Sequence, residues 1–490
     1  MTTPSSVTTR QPSPVTTPPR QARTTPRLIS TTAVGLVLAI ALVKGLSPYF
    51  EPDLWWHLRT GDRLRHSFDL IAPDPSASFA DRAYTATQWL PEMVASWAYS
   101  VAGLGGVLWL RAAAIVAMVA IVYVASRRFA GRLPASVAAG LALVAAGGGL
   151  NPRPQLVSFV LFALALHACL GMVQDHRPRW WLVPVFWAWA CSHGLWIFGL
   201  ALAAVLLGAA FADPRTRPPW TSARRLVLLW GACLAAVAAT PIGPALLLTP
   251  FQVAGNASRV AEEWRPTPLN NVFAWAALLE LLLCVVLWAA RPARRPWWQL
   301  ALLAFAALST LWMWRLVPLG AIAAAPLVAL ALQEHLNARR EAFSTRERRG
   351  LWLTGLSLLA AGALVCATAT GADSARYPSD LRPIDAALDQ LPQGTVVLDD
   401  FGISGWLLWA HPELRPVADL RGEIYGQDYL RAYTDALTVK PGWDAFVART
   451  HPSVALVATD SALGDALRHR LNWAVVASTD DFVLLRAPAG

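Results

Sequence analysis

The feature that most constrains the fold of this chain is a series of long apolar segments separated by short, arginine-rich connections. About 20 apolar residues are needed for a helix to cross the roughly 30 Å hydrocarbon core of a bilayer. We predict eleven spans, at 28–48, 105–126, 134–150, 155–173, 180–193, 195–212, 224–241, 271–290, 297–313, 316–333 and 351–370. The sequence therefore predicts a polytopic α-helical membrane protein.

Composition excludes most other classes of protein. The chain has 490 residues, of which 55% are hydrophobic and only 15% are charged, whereas soluble domains are about one quarter charged. A solvated globular enzyme, a disordered chain and a coiled coil are all excluded. The five cysteines lie inside apolar segments, so a disulfide scaffold is excluded as well. The net charge of +10 comes from arginine clusters between the apolar segments, which argues against a nucleic-acid partner.

Arginine placement predicts the orientation in the membrane. Alternate connections hold clusters of arginine, for example at 127–132, 215–225 and 339–349, and the connections between them hold few. Cytoplasmic loops carry this excess of positive charge. We expect a multi-pass protein of the cytoplasmic (plasma) membrane with a disordered basic cytoplasmic tail at 1–27. An odd number of spans places the C-terminal region on the extracytoplasmic side.

The C-terminal region, residues 371–490, differs in pattern from the membrane domain at 28–370. Short β-rich runs alternate with helical patterns, which predicts an extracytoplasmic α/β domain. Strands are expected at 394–401, 415–420, 453–459, 473–479 and 481–487, and helices at 383–391, 429–437, 442–450 and 462–471.

The extracytoplasmic loop at 49–90 carries the most chemical information. Glu51 and Asp53 follow the first span directly, with Trp56 and His57 close behind. Acidic groups at a membrane boundary are costly unless they have a partner or a function. A carboxylate here could accept a proton from an acceptor hydroxyl as a general base, or hold a divalent metal, Mg or Mn, against a phosphate. The sequence does not choose between these roles, and Asp53 is the candidate for both.

Six stretches in a fixed order carry a resemblance to a known superfamily. They are PDLWWHLRTGD (52–62), QWLPE (88–92), WAWACSHG (187–194), ATPIG (239–243), EEW (262–264) and PVADLRGEIYG (416–426). With the acidic pair after the first span and the extracytoplasmic C-terminal domain, they make the chain resemble the GT-C superfamily of membrane glycosyltransferases. Protein O-mannosyltransferases and arabinosyltransferases are members, and the greatest similarity is to uncharacterised bacterial polytopic proteins placed near them.

This resemblance implies a reaction class. GT-C enzymes transfer a sugar from a polyprenyl-phosphate donor to an acceptor at the outer membrane face. The catalytic acid of the first loop corresponds to Asp53, with Glu51 in the position of its acidic partner. The expected partners are therefore a polyprenyl-phosphate sugar, a glycan, lipid or protein acceptor, and the bilayer.

Five further residues are candidate ligand contacts. Arg153, Arg265 and Arg315 lie in extracytoplasmic connections close to a span, where a guanidinium could bind the donor phosphate or extend to lipid headgroups. His193 is either a substrate contact or a polar cap at a helix end, and Glu263 either a second acid of the site or an ordinary helix end. Trp56 and His57 complete the set of candidate substrate contacts.

Two other functions are compatible with the sequence. The chain lacks a GxxxxGK[ST] phosphate loop, an HExxH motif and a GxSxG motif, which argues against a P-loop ATPase, a zinc protease and a serine hydrolase. A lipid or glycan transporter or flippase remains an alternative, although a carrier does not need the long acidic loop. A non-catalytic membrane scaffold that presents the C-terminal domain is the other alternative.

Overall fold

The computed structural model describes residues 24–47, 49, 51–74, 76–251, 262–336, 340–368 and 381–488. Most of the predicted basic tail, Arg339 and the predicted domain boundary near 371 lie outside the described residues. The fold class agrees with the sequence: apolar helices form a bundle, and a sheet follows at the C-terminal end. This confirms the predicted fold class.

The bundle contains the eleven predicted apolar segments as helices. Their bounds are α1 Thr24–Leu46, α3 Trp89–Ser126, α4 Arg132–Ala145, α5 Gln155–Asp175, α6 Leu182–Ala190, α7 Trp196–Ala212, α8 Trp220–Ala238, α9 Val272–Ala290, α10 Trp297–Trp312, α11 Val317–His335 and α12 Thr345–Thr368. Among the described residues, seven helices are long and apolar enough to cross a membrane. The chain is thus a multi-pass membrane protein, while the count of eleven spans stays a prediction.

Side-chain contacts show that the helix ends gather at two faces. Glu51, Arg153, His193 and Arg315 meet at one face, which we call the site face. The opposite face is marked by ion pairs such as Arg127–Glu347 and Arg295–Glu334. Successive segments run from one face to the other, so residues far apart in sequence meet at their ends.

The segment at 180–193 differs from its prediction as a full helical span. Only α6, with nine residues, is helical, and at 1.5 Å per residue it is about 14 Å long. The chain nevertheless runs from the opposite face to the site face between His176 and His193. His176 contacts the Thr216 carbonyl at the opposite face at 3.0 Å, and His193 lies at the site face. Pro178 disfavours helix in the residue before it, so part of this return is not helical.

The loop at 49–90 is more structured than the sequence indicated. It forms helix α2, Asp53–Ser67, and a two-stranded ribbon of β1, Ile71–Ala72, and β2, Tyr84–Thr85. The pattern DLWWHLRTGDRLRHS buries Leu54, Trp56, Leu58 and Leu64 on the inner side of α2. Helix α3 begins already at Trp89 and bends at Ala102–Gly103, before the predicted span at 105–126 begins.

The C-terminal domain has a five-stranded mixed sheet. Its strands are β3 Val396–Asp399, β4 Arg415–Pro416, β5 Val454–Ala458, β6 Ala474–Ser478 and β7 Phe482–Arg486, in the order β4-β3-β5-β7-β6. Strands β3, β4 and β5 are parallel, and β7 is antiparallel to β5 and β6. The flanking helices are α13 Arg382–Leu388, α14 Phe401–Ala410, α15 Gln427–Leu437, α16 Trp443–Thr450 and α17 Ala462–Arg470. Each predicted strand and helix is present, and α14 is an additional helix that we did not predict.

Candidate functional site

The acidic pair lies at the beginning of α2. Asp53 is in the first turn, where the helix dipole favours a negative charge. Its backbone N–H donates to Oε1 of Glu51 at 3.3 Å, and Nε1 of Trp56 donates to its Oδ1 at 3.0 Å. The Glu51 side chain is 1% exposed and the Asp53 side chain 18%. Asp53 is thus oriented from both sides and remains accessible to a ligand.

Arg153 holds both acids. It lies in the turn between α4 and α5, and its guanidinium nitrogen Nη2 is 2.6 Å from Oε1 of Glu51 and 2.8 Å from Oδ2 of Asp53. Its other terminal nitrogen, Nη1, is 3.3 Å from Oε2 of Glu263. One guanidinium therefore neutralises part of the charge of three carboxylates that come from two segments of the chain, the start of α2 and the segment around Glu263.

The pKa values of the two acids, Glu51 and Asp53, are shifted in opposite directions. Burial raises the pKa of Glu51, and the nearby Asp53 adds to that increase although Arg153 opposes it. Burial also acts to raise the pKa of Asp53, but Arg153, His57, the Trp56 hydrogen bond and Arg315 together lower it below its ordinary value. Asp53 is therefore ionised at neutral pH.

A second arginine, Arg315, extends the cluster. It lies just before α11, and its guanidinium pairs with Oε1 of Glu263. The other oxygen of Glu263 faces Arg153, so this carboxylate bridges two arginines. The guanidinium of Arg315 also donates to Nε2 of His193 at 2.8 Å, and its carbon lies 5.3 Å from the ring centroid of Trp264.

His193 is held as a neutral ring. Burial lowers its pKa well below the ordinary value, and the nearby Arg315, His57 and Arg153 lower it further. Because an arginine can only donate, Nε2 of His193 is the acceptor and Nδ1 carries the proton. Nδ1 is 3.2 Å from Oγ of Ser158, which also accepts a hydrogen bond from Nε1 of Trp189 at 2.8 Å. His193 thus orients Arg315.

A buried histidine–carboxylate pair lies beside the acids. His57 Nδ1 is 2.7 Å from Oε1 of Glu92, in the first turn of α3. Glu92 is 0% exposed and His57 5%. The His57 ring contacts the Trp56 ring, with centroids 3.6 Å apart and the ring planes tilted by 33°. We predicted His57 as a substrate contact and did not predict Glu92 at all, although the stretch QWLPE ends on it.

A buried arginine fixes the two segments that carry the acids and Arg153. Arg111, 2% exposed, donates from Nε to the carbonyl of Leu150 at 2.7 Å and from Nη1 to that of Ser47 at 2.8 Å. Leu150 precedes the Arg153 turn, and Ser47 precedes Glu51. The buried guanidinium of Arg111 therefore joins these two backbone segments at the site face.

A cavity of about 190 Å³ adjoins the cluster. Arg153, Glu263 and Arg315 contribute charge to its lining, and Phe273 and Pro318 contribute apolar surface. Such a lining suits a ligand that has both an anionic and an apolar part.

The C-terminal domain packs directly on the acid-bearing helix. A Cβ atom at Gly405 of α14 would lie 2.3 Å from the carbonyl oxygen of Pro52, the residue before Asp53. Arg421, 2% exposed, pairs with Asp419 of its own domain at 2.7 Å and with Asp74 of the loop. Its guanidinium carbon lies 6.0 Å from the ring centroid of Trp56. The domain therefore supports both the backbone and the indole that orient Asp53.

We expect Gly405→Ala to displace α14 from α2. Alanine favours helix over glycine by about 0.5–1 kcal/mol, but the overpacking against Pro52 destabilises by about 1–3 kcal/mol. Hydrogen exchange of residues 53–67 should become faster. Gly422→Ala is the control, because its Cβ would make an ordinary 3.6 Å contact with Leu430. Equal exchange in the two variants would contradict this docking.

The divalent metal that the sequence left open for Asp53 stays a prediction. Arg153 already holds one oxygen of each acid, Oε1 of Glu51 and Oδ2 of Asp53. Within the described part of the chain, no group of three or more His, Cys, Asp or Glu side chains is arranged to hold a metal ion.

The structure brings together all but one of the predicted site residues. Glu51, Asp53, Arg153, Glu263, Arg315 and His193 form one connected network, with Trp56 and His57 in contact with it. Arg265 differs. Its side chain is exposed, and its backbone carbonyl accepts from the Trp314 N–H. Among the described residues, no ion pair joins Arg265 to the cluster.

Solved structures share the fold over most of the chain. The archaeal oligosaccharyltransferase AglB from Archaeoglobus fulgidus, in complex with an inhibitory peptide and a dolichol-phosphate, aligns with a TM-score of 0.58 and 14% identity over 88% of this chain and 70% of its own. ArnT from Cupriavidus metallidurans aligns in the apo state with a TM-score of 0.51 and 17% identity, over 94% of this chain and 98% of its own. ArnT bound to undecaprenyl phosphate aligns with a TM-score of 0.50 and 18% identity, over 96% and 99%.

Both proteins are GT-C superfamily glycosyltransferases, so the resemblance in sequence is confirmed at the level of the fold. No protein-family model and no curated protein sequence matches the chain.

Proposed function

We propose that this chain, which has the GT-C fold, is an integral-membrane glycosyltransferase that uses a polyprenyl-phosphate-linked sugar as donor. The observation that carries the proposal is the Arg153 cluster: in this fold, one guanidinium holds Glu51 and Asp53 together beside a cavity. In the reaction, an acceptor oxygen would form a bond to the anomeric carbon of the sugar. The bond from that carbon to the phosphate oxygen would break, and its electron pair would leave with the polyprenyl phosphate.

Asp53 would lie at the reaction centre as an ionised group. Its lowered pKa keeps it charged at neutral pH, so it can stabilise positive charge that develops on the sugar. Glu51 would act through Asp53, because it accepts from the Asp53 N–H and holds Arg153.

Arg315 and Arg153 would bind the donor phosphate. Glu263 bridges these two guanidiniums, and this bridge supports the proposal of a site for an anion with two oxygen atoms between them. The apolar residues of the cavity lining would face the hydrocarbon next to the phosphate. A phosphate would replace Glu263 as the partner of Arg315, and His193 would hold the guanidinium in place.

We expect Arg315→Met to weaken the binding of undecaprenyl phosphate. Hydrogen bonds to a charged group contribute about 1.5–3 kcal/mol, which corresponds to roughly 10- to 100-fold in Kd. The measurement is a titration of the purified protein in detergent with undecaprenyl phosphate. Arg82→Met is the control, because Arg82 is an exposed arginine of the 49–90 loop. Equal affinity in the two variants would remove Arg315 from the phosphate site.

The site face would lie on the extracytoplasmic side of the cytoplasmic membrane. The opposite face carries arginines of the predicted cytoplasmic connections, such as Arg127 and Arg295, as the charge bias of membrane loops requires. The N-terminus would be cytoplasmic and the C-terminal domain, proposed as residues 371–490, extracytoplasmic. Cysteine labelling from outside the cell at Asp62→Cys on α2 and at Arg346→Cys in the first turn of α12 should modify only the former.

The proposed function is tested by comparing cell-envelope lipids and glycans by mass spectrometry. A strain lacking the gene should lose one glycan modification and accumulate one polyprenyl-phosphate sugar, and the wild-type gene should reverse both changes. Transport of a lipid by the purified protein in liposomes, with no covalent product, would favour a flippase instead.

A further inference from the structure

The buried pair of His57 and Glu92 has the geometry of a proton-accepting dyad. His57 lies four residues after Asp53 on α2, so both side chains project from the same side of the helix toward the cluster. Glu92 comes from a different helix and is 0% exposed, and among the described residues its side chain has one hydrogen-bond partner, Nδ1 of His57 at 2.7 Å. Its second oxygen, Oε2, has none within the described part of the chain.

The hydrogen bond fixes which ring nitrogen can accept a proton. A carboxylate accepts, so Nδ1 of His57 is the donor in this pair. The neutral ring then has its lone pair on Nε2, and within the described part of the chain that atom has no hydrogen-bond partner. A carboxylate that holds one histidine nitrogen while the other takes the proton from a nucleophile is the arrangement used in catalytic triads.

Asp53 is less suited to this role. Arg153 is 2.8 Å from its Oδ2, and Trp56 donates to its Oδ1. Because its pKa lies below the ordinary value, the carboxylate is a weak proton acceptor at neutral pH.

We propose that His57 is the general base of the transfer reaction and that Glu92 is its positioning residue, an inference that rests on the proposed function. The acceptor would be a nucleophile that must lose a proton, such as a hydroxyl group. Its proton would move to Nε2 of His57 as its oxygen bonds to the anomeric carbon and the bond from that carbon to phosphate breaks. The products are the glycosylated acceptor, polyprenyl phosphate and the imidazolium of His57, which then releases the proton to water.

A close crossing of α2 and α3 keeps His57 and Glu92 within hydrogen-bond distance. A Cβ atom at Gly61 of α2 would lie 2.0 Å from the carbonyl oxygen of Glu92 and 2.9 Å from Cβ of Ser96. The absence of a side chain at Gly61 thus lets α2 approach α3 closely enough for the hydrogen bond.

Other titratable groups also act on the dyad. Asp53 on the same helix and His193 from the turn before α7 interact electrostatically with His57. Tyr84 of β2 interacts with Glu92. The pH dependence of activity is therefore compared between variants that leave these three groups unchanged.

The test measures transfer kinetics of purified full-length protein with the polyprenyl-phosphate sugar that accumulates in the deletion strain. Glu92→Gln keeps an oxygen that can accept from Nδ1 but removes the charge. We expect kcat to fall by about 10²-fold or more and the acid limb of the kcat/KM profile to move to lower pH, because a neutral amide stabilises the imidazolium less. His57→Ala should lose roughly 10²- to 10⁴-fold, and added imidazole should restore part of the activity.

The controls lie on the same helix. His66→Gln and Asp62→Asn remove an exposed histidine and an exposed acid of α2 and should leave both kcat and the pH profile unchanged. Wild-type kinetics with an unchanged pH profile in Glu92→Gln, together with activity in His57→Ala that does not depend on imidazole, would overturn the dyad. A wild-type protein that transfers no sugar would overturn the proposed function instead. If Glu92→Gln does not fold, the imidazole response of His57→Ala decides.

Discussion

Asp53→Asn should strongly slow sugar transfer while leaving the protein folded. The amide has the same shape as the carboxylate and can still accept the hydrogen bond from Trp56. It lacks the charge that pairs with Arg153 and that would stabilise the reacting sugar. The loss of one preorganised electrostatic group at a reaction centre lowers kcat by about 10²- to 10³-fold.

Complementation of the deletion strain measures this effect directly. Asp53→Asn should be expressed at the wild-type level, leave the glycan absent and leave the polyprenyl-phosphate sugar at its accumulated level. Asp62→Asn, on the same helix but 54% exposed at its side chain, should restore both. If Asp53→Asn restores the glycan as well as the wild-type gene does, Asp53 is not part of the chemistry and the transporter and scaffold functions become the better explanations.

Arg153→Met should cause the largest loss of stability. It leaves Glu51, 1% exposed at its side chain, without its guanidinium partner, and removes the main cation from Asp53 and one from Glu263. The removal of one partner of a buried ion pair costs about 3–5 kcal/mol, because the remaining charge is uncompensated. Thermal unfolding in detergent should show a lower melting temperature, and transfer activity should be lost.

The loss of stability caused by Arg153→Met should depend on pH. In the wild-type protein, the pKa of Asp53 lies below its ordinary value, so its ionisation adds stability above that ordinary value and this stability is lost as the pH falls. Without Arg153, burial becomes the dominant influence on both acids and favours their protonated forms. The deficit of Arg153→Met should therefore be larger at pH 8 than at pH 5.

A second substitution distinguishes uncompensated charge from a general packing defect as the reason for the lost stability. Glu51→Gln in the Arg153→Met background removes the most buried of the uncompensated charges. We expect the double variant to recover part of the lost melting temperature at pH 8 without recovering activity. A double variant that is less stable than Arg153→Met would show that the ion pairs are not the source of the deficit.

Sequence patterns were sufficient for the elements of the fold. Each apolar segment is a local property of the chain. In the C-terminal region, the spacing of apolar residues distinguishes strand from helix. The predictions were less accurate where local patterns conflict. Helix α2 has as many charged as apolar residues and was predicted only as a polar loop, and α6 ends earlier than its apolar run because the run contains polar turn residues.

The site was predicted in its residue types and not in its contacts. The acids after the first span were recognisable from their position, and outside arginines were recognisable because they oppose the charge bias of membrane loops. Nothing in the local sequence indicates that Arg153 pairs with Glu51 and Asp53 while Arg265 remains exposed. Both arginines occupy similar positions near the end of a span.

The sequence alone determined that this chain inserts into a membrane, where most of its helices run, and which segment carries the acids, because hydrophobic burial is encoded locally. Only the tertiary structure decided which charges meet. The partners Glu51 and Arg153 are 102 residues apart and His57 and Glu92 are 35 apart, and such pairs depend on where separate helices end at a common face. A buried charge is stable only with a partner of suitable geometry, so the packing of the helices selected the network from the many pairings that the sequence allows.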